Sequence, residues 1–236
     1  LLLAAVGDIH APKYLSMFEE AVSRLGEKPD MLALLGDLIY RGQYQWLKRV
    51  VEVAETIGCP MIAVPGNEEF SERRFSSEMA DHAIVLNDTL VTVRAHGIEL
   101  CIVGTKGSLD KPTSWQARNI PGIAERYRRR ATLVCELAKA SRAQVKVLLS
   151  HYAPTYRTMR GEPPSIYPQL GSRMLENCLK AGVFDAAIHA HVHRGKPSAQ
   201  VGSCPVYNVS LPCTREVSLI ELKPAMRKAG LELFIG

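Results

Sequence analysis

The 236-residue chain has no apolar stretch long enough to span a bilayer, and no Pro-, Gly- or Ser-rich linker or low-complexity tract interrupts it. The first absence excludes a membrane-spanning helix, and the second predicts a single domain over residues 1–236. The six cysteines, at 59, 101, 135, 178, 204 and 213, include no C-x-x-C pair, which argues against a zinc ribbon or a thioredoxin-type redox centre. Cys59 and Cys101 lie beside or inside apolar runs, and Cys135 and Cys178 fall in helical patterns. Buried free thiols in a reducing, cytoplasmic setting are therefore expected. The opening LLLAAV is too short for a secretory leader and lacks a basic flank, so it reads as a first strand.

Charge of one sign is also in short supply. With 29 basic and 24 acidic residues the net charge is +5, and aromatics make up only 6% of the chain. That balance suits an anionic substrate but falls short of a nucleic-acid-binding signature. Arg126, Arg128, Arg129 and Arg130 lie on one predicted helix with only Tyr127 among them, the pattern of a solvated face. A nucleic-acid partner is not favoured, and a membrane partner is not expected.

What the chain does have is five apolar runs that each end in a polar residue able to hold a divalent cation. LLLAAVGDIH ends in Asp8 and His10, MLALLGD in Asp37, MIAVPGN in Asn67, VKVLLSH in His151, and AAIHAHVH in His191 and His193. Short continuous apolar runs bounded by Gly or Pro read as buried strands. Any one tip could be a helix cap or a turn residue. Their recurrence at the carboxyl ends of strands, where open α/β sheets place ligand sites, points to a metal centre. Asp8 and His10 sit two apart, so both can reach one ion from the same side, and His191 and His193 repeat that spacing. Together with Asp37, Asn67 and His151 they exceed the four ligands of an ordinary zinc site, which suggests two ions with a carboxylate between them.

Between these runs, Leu15 to Leu25, Tyr44 to Ile57, Ile123 to Ala140 and Arg173 to Ala181 carry apolar residues at helical spacing. From Ala83 to Gly104, the segments IVL, LVTVRA and IELCIVG read as antiparallel strands separated by Asn-Asp and His-Gly turns. VYNVS, EVSLIEL and LELFI repeat that style after His193. The prediction is an α/β fold with a mixed pair of sheets flanked by helices.

Residues 105–121 and 152–170 lack periodicity and are longer than usual connections. The second follows His151 directly and offers Tyr152, Tyr156, Arg157, Arg160 and Tyr167. Of these, Tyr152, Arg157 and Arg160 are the candidates for binding substrate phosphate or stacking on a base. Lys106, in Gly104-Thr105-Lys106-Gly107-Ser108, lacks the spacing of a phosphate loop. His189 is expected in the core, and His82 and His96 on the surface.

The ordered blocks Gly7-Asp8-Ile9-His10, Gly36-Asp37, Gly66-Asn67-Glu68-Glu69, His151 and Ala190-His191-Val192-His193 resemble the signature of the calcineurin-like metallophosphoesterases. The resemblance spans residues 4–193. It implies a four-layer α-β-β-α sandwich and a phosphate-ester substrate. Carried over by position, it implies that Asp8, His10 and His193 hold one divalent ion, that Asn67, His151 and His191 hold the other, and that Asp37 bridges them. Mixed imidazole, carboxylate and amide ligands accept manganese, iron, cobalt, nickel or zinc. A water held between two such ions loses a proton near neutral pH and becomes the nucleophile.

Two positions depart from the family pattern. Ala190 stands where the family has Gly, and Glu68 stands where it has a His credited with protonating the leaving group or steadying the phosphate. The residues expected at the reacting phosphate are thus Asp37, Asn67, Glu68 and His151. An ionised Glu68 repels a phosphomonoester dianion more than a diester monoanion, so a preference for diesters is expected. The alternatives are a non-catalytic scaffold of the same fold and a nuclease of the same superfamily.

Overall fold

In the computed structural model, which describes residues 1–224, the apolar runs form strands covered on both faces. β1 (Leu2–Val6), α1 (Leu15–Ser23), β2 (Met31–Leu35), α2 (Leu47–Glu55) and β3 (Met61–Val64) alternate as their periodicities predict, and the three strands run parallel. A 3-10 turn over Tyr44–Trp46 leads into α2. The chain then forms α3 (Glu72–Met79), whose amino end is capped by Ser71 Oγ accepting from the Arg74 amide at 3.2 Å.

β4 (Ile84–Val85) pairs with β3 in parallel. This corrects the antiparallel expectation for IVL: α3 lies between the two strands, and a helical crossover returns the chain in the same direction. β5 (Thr89–Ala95) and β6 (Ile98–Thr105) do form the expected antiparallel hairpin, closed by the two-residue His96–Gly97 turn.

Within the aperiodic stretch after β6, α4 (Ser114–Asn119) is fixed by a capping box between Thr113 and Gln116. α5 (Ile123–Ala140) leads to β7 (Val145–Ser150), α6 (Arg173–Lys180) and β8 (Ala186–His189), so β6, β7 and β8 run parallel. β9 (Ser198–Val201) pairs antiparallel with β10 (Cys204–Asn208), which lies parallel to β8. After the short α7 (Leu211–Thr214), β11 (Ser218–Glu221) pairs antiparallel with β1. The LELFI segment lies outside the described residues.

Two mixed sheets result, ordered β11-β1-β2-β3-β4 and β5-β6-β7-β8-β10-β9. Strand alternation distributes their side chains between layers. Leu3, Ala5, Ala33 and Leu35 meet Leu100, Ile102, Val147 and Leu149 between the sheets. Ala4, Val6, Leu32 and Leu34 pack on the opposite face beneath Phe18, Leu47 and Val50 of α1 and α2. On the outer face of the second sheet, Cys101, Val103 and Leu148 pack against Val134, Leu175 and Leu179 of α5 and α6. The architecture is the four-layer α-β-β-α sandwich. Burial on both faces explains why the strands read as unbroken apolar runs.

Cys135 of α5 and Cys178 of α6 form a disulfide, correcting the expectation of two free thiols. The partners are 43 residues apart and meet only because the two helices pack side by side. Cys101 and Cys204 are buried and free, while Cys59 and Cys213 are partly exposed. Among the described residues no helix is long and apolar enough to cross a membrane.

Candidate metal centre

The parallel strands β1, β2, β3, β7 and β8 end on the same side, and the polar tips gather there. Asp8 and His10 follow β1, Asp37 follows β2, Asn67 follows β3, His151 follows β7, and His191 and His193 follow β8. Asp8, His10, Asp37 and His191 adopt left-handed backbone at φ 58°, 43°, 49° and 68°. Such a conformation costs a residue with a Cβ about 1 kcal/mol or more and clusters at functional sites. Ala190 is not among the positive-φ residues, so the departure from Gly at that position introduces no backbone strain of this kind.

The side chains form two adjoining groups. In the first, His10 Nε2 stands 3.4 Å from His193 Nε2, and Asp8 Oδ1 lies 3.8 Å from the former and 3.6 Å from the latter. In the second, His151 Nε2 lies 3.4 Å from Asp37 Oδ1 and 3.0 Å from Asn67 Oδ1, with His191 packed against the His151 ring. Two ligands of one first-row ion, each about 2.1 Å from it, stand roughly 3.0–3.4 Å apart. The His10–His193, His151–Asp37 and His151–Asn67 spacings match this, while Asp8 Oδ1 stands a few tenths of an ångström further out. Asp8 Oδ1 is buried and accepts no hydrogen bond. A buried carboxylate oxygen with no donor is costly unless a cation satisfies it.

The surrounding structure fixes these groups. His151 Nδ1 donates to the Leu35 carbonyl at 2.9 Å, which leaves Nε2 as the free ligand atom. The His191 amide donates to Asp8 Oδ2 at 2.6 Å, tying the tip of β8 to that of β1. Glu69, which carries no role in the sequence reading, is the clamp between β2 and β3. Its buried carboxylate accepts from the amides of Leu38 and Gly66 at 2.7 Å each and of Asp37 at 3.2 Å. Gly66 is needed for this approach, because a Cβ there would overlap Asp37 Oδ1 and the Asp37 amide. Glu68 also proves to be a brace. Its amide donates to Asp37 Oδ1, and its Oε2 accepts from the Arg41 amide, both at 2.7 Å.

Burial and mutual charge perturb the ionisable groups strongly. Burial opposes ionisation of Asp8, but His193, His151 and His10 outweigh it and hold the carboxyl below its usual range. Burial also works against a charged His151, yet the Asp37 carboxylate lifts it to about 9. Burial and then His151 push His191 down to about 3. His189 is a core residue, as expected: burial lowers it to about 4, Nδ1 donates to the Ala190 carbonyl, and Nε2 faces the Thr158 hydroxyl. His82 and His96 sit on the surface beside Glu55 and Asp30.

A cavity of about 940 Å³ opens beside the centre, with Asn67, Glu68 and His191 in its wall. Tyr152 lines it too, buried with its ring against His191. Arg157 and Arg160, the other expected substrate contacts, are not part of the wall. The Arg157 guanidinium donates to the Gln200 carbonyl and lies 3.8 Å from Glu176. The remaining wall comes largely from Arg41, Phe70, Trp115 and Gln116, which the sequence does not mark, and from Lys106, whose surroundings lack the spacing of a phosphate loop. Both aperiodic stretches contribute to this wall, Lys106, Leu109 and Trp115 from the first and Tyr152 and Gln169 from the second, and Asp110 of the first accepts from the Tyr156 hydroxyl of the second.

Carboxylates and imidazoles gathered at the strand ends of an α-β-β-α sandwich form two groups able to hold a metal ion. A profile of the calcineurin-like phosphoesterases matches residues 1–195, and the chain belongs to that family. The family uses divalent metal ions and acts on phosphate esters, which agrees with the ligand groups found here. No curated protein matches the sequence. Among solved structures, a phosphopantetheinyl hydrolase from Mycobacterium tuberculosis is similar with a TM-score of 0.66 at 14% identity, covering 88% of each chain. A protein of Thermus thermophilus has a TM-score of 0.59 at 17% identity, covering 94% of this chain and 96% of that one. A dimetal phosphatase from Danio rerio has a TM-score of 0.58 at 12% identity, covering 88% of this chain and 86% of that one. At these identities the likeness is one of fold.

Proposed function

We propose that this phosphoesterase works with two divalent transition-metal ions and prefers phosphodiesters. Asp8, His10 and His193 hold one ion, Asn67, His151 and His191 hold the other, and Asp37 lies between them. The observation that carries this reading is the division of the Asp37 carboxylate. Oδ1 faces His151 Nε2 at 3.4 Å, and Oδ2 faces His10 Nε2 at 3.9 Å, so this side chain reaches both groups, as does Asp8, whose carboxylate lies within reach of His10 and His193 and of Asp37, His151 and His191. Manganese, iron, cobalt, nickel and zinc all suit the donor set. When bound, such ions supply a nucleophile from water near neutral pH and polarise the phosphoryl oxygens.

The protein's own groups set the charge and orientation of the reaction. Two carboxylates among neutral imidazoles and an amide leave the loaded centre with an excess of about two positive charges, which attracts an anionic phosphate. The bond from His151 Nδ1 to Leu35 and the bracing of Asp37 by Glu68 and Glu69 hold the ligands before substrate arrives. Glu68 contributes a negative charge to the cavity wall beside Asn67. That charge opposes a monoester dianion more than a diester monoanion, and it supports the diester preference against the attraction that Arg41 and Lys106 in the same wall exert on either ester.

The test is turnover of bis-p-nitrophenyl phosphate against p-nitrophenyl phosphate with several metals, repeated on Asp37→Ala. The diester is expected to be hydrolysed faster, and Asp37→Ala to lose activity. Failure to hydrolyse either ester with any metal would favour a scaffold role. Equal turnover of a matched alkyl monoester and diester would remove the basis for the diester preference alone.

A further inference from the structure

Most of the wall of the cavity beside the metal centre takes no part in the hydrolytic scheme. At about 940 Å³ it is far larger than a phosphate group requires and lies within the range of about 300–1,000 Å³ typical of organic-ligand pockets. Because Asn67 and His191 belong to both the metal centre and the cavity, an occupant can be joined to a phosphorus atom held at that centre. Phe70 and Trp115 also stand in the wall with 70% and 62% of their surface exposed. The other large hydrophobic residues exposed among the described residues, Ile84, Leu133 and Leu219, lie elsewhere. Two open aromatic rings in one cavity, in a chain with only 6% aromatics, present stacking faces.

Phe70 has left-handed backbone at φ 58°, and its ring packs over Gly42, where an added Cβ would come within 2.8 Å of it. Trp115 is carried on α4, whose start the Thr113–Gln116 capping box fixes. Arg41 and Lys106 face the same cavity against the single carboxylate of Glu68, a balance that suits an anionic ester. Lys106 is positioned in turn by Glu72, 3.7 Å away, which also lies 3.6 Å from the buried Arg130.

We infer that this cavity receives the organic part of the ester, and that it selects a planar aromatic group, a nucleobase or an aryl ring, stacked on Phe70 or Trp115. The inference rests on the phosphoesterase reading of the metal centre and names the substrate class that centre serves. Leu109, Ile120 and Tyr152 supply the apolar remainder of the wall.

The test measures binding rather than turnover. Thymidine 5′-monophosphate, phenyl phosphate and methyl phosphate share a phosphate and differ only in the organic group. Their affinities for the metal-loaded protein are read by calorimetry and by the fluorescence of Trp115 in a Trp46→Phe background. At least one aromatic ester is expected to bind about tenfold or more tightly than methyl phosphate and to quench Trp115 saturably. A combined Phe70→Ala and Trp115→Ala variant, followed by calorimetry, is expected to bring the ratio to within about threefold. Tighter binding of the thymidine ester than of phenyl phosphate identifies a nucleobase, whereas equal binding of the two identifies a general aryl pocket. Equal affinities for all three esters, or a ratio that survives the double substitution, would overturn the inference. Hydrolysis with equal affinities sinks this inference alone. Selective aromatic binding without hydrolysis sinks the catalytic reading and leaves the pocket's preference standing.

Discussion

Replacing Glu69 with Gln tests whether the metal centre is built by a clamp between β2 and β3. The carboxylate accepts three backbone hydrogen bonds, two at Oε2 from Gly66 and Asp37 and one at Oε1 from Leu38. Glutamine keeps the shape but offers one acceptor oxygen. With that oxygen at the Oε2 position, the amide NH₂ would face the Leu38 N–H, donor against donor, in a buried site. Burial and then the neighbouring Asp37 carboxylate push the Glu69 carboxyl up to about 7, so the comparison is made above that pH. There, losing a hydrogen bond to a charged acceptor removes about 1.5–3 kcal/mol, and an unsatisfied buried donor adds about 1–3 kcal/mol. A destabilisation of about 2–4 kcal/mol is expected after partial relaxation. Urea unfolding should show a lower midpoint with an unchanged slope. Manganese affinity should fall as well, because the Asp37 and Gly66 backbones lose their common anchor. A loss of stability under about 0.5 kcal/mol, with metal affinity retained, would refute the clamp.

Gly66→Ala should disturb the same contact from the other side, since the new methyl group meets the Asp37 carboxylate and amide, costing about 1–3 kcal/mol and weakening metal binding in a calorimetric titration. Reduction of the Cys135–Cys178 disulfide, which closes a 43-residue separation, should lower stability by about 2–4 kcal/mol in urea. Thiol titration of the denatured, unreduced protein should find four reactive groups. Burial alone would raise the Glu72 pKa, but Asn87, Lys106 and Arg130 outweigh it and hold the carboxyl below 4.5. A depressed folded-state pKa stabilises above the unfolded value and is lost as pH falls through the folded one. The stability advantage of the wild type over Glu72→Gln should therefore be present at pH 7 and shrink below about pH 4.5 in paired pH-dependent melts.

How much of this is legible before folding depends on the range of the signal. Asp8, Asp37, Asn67, His151 and His191 announce themselves because strands buried on both faces leave unbroken apolar runs, and a polar tip after Gly or a small residue is then conspicuous, while His193 repeats the two-residue spacing of Asp8 and His10. The four helices with strong periodicity are legible for the same local reason. α3 is not: only Phe75 and Met79 of its eight residues are buried, too few to mark a stripe, and without that helix IVL reads in the wrong direction. Glu69 stands in the Gly66-Asn67-Glu68-Glu69 block, but its role as a clamp is not legible there because it arises only when residues 36–38 and 66 approach it. Phe70, Lys106 and Trp115 carry no periodic or motif signal, since the cavity exists only once two long aperiodic stretches have folded together. Arg157 illustrates the converse: closeness in sequence to His151 does not bring its guanidinium to the cavity, because Gln200 and Glu176 hold it elsewhere.

The central claim is that Asp37 joins two cation sites into one centre. The most direct measurement is the number of manganese ions retained per chain, determined by elemental analysis after dialysis, for the wild type and for Asp37→Ala. Two ions per chain in the wild type and one or none in the variant are expected. A single ion or none in the wild type, or two ions retained without the Asp37 carboxylate, would contradict the claim.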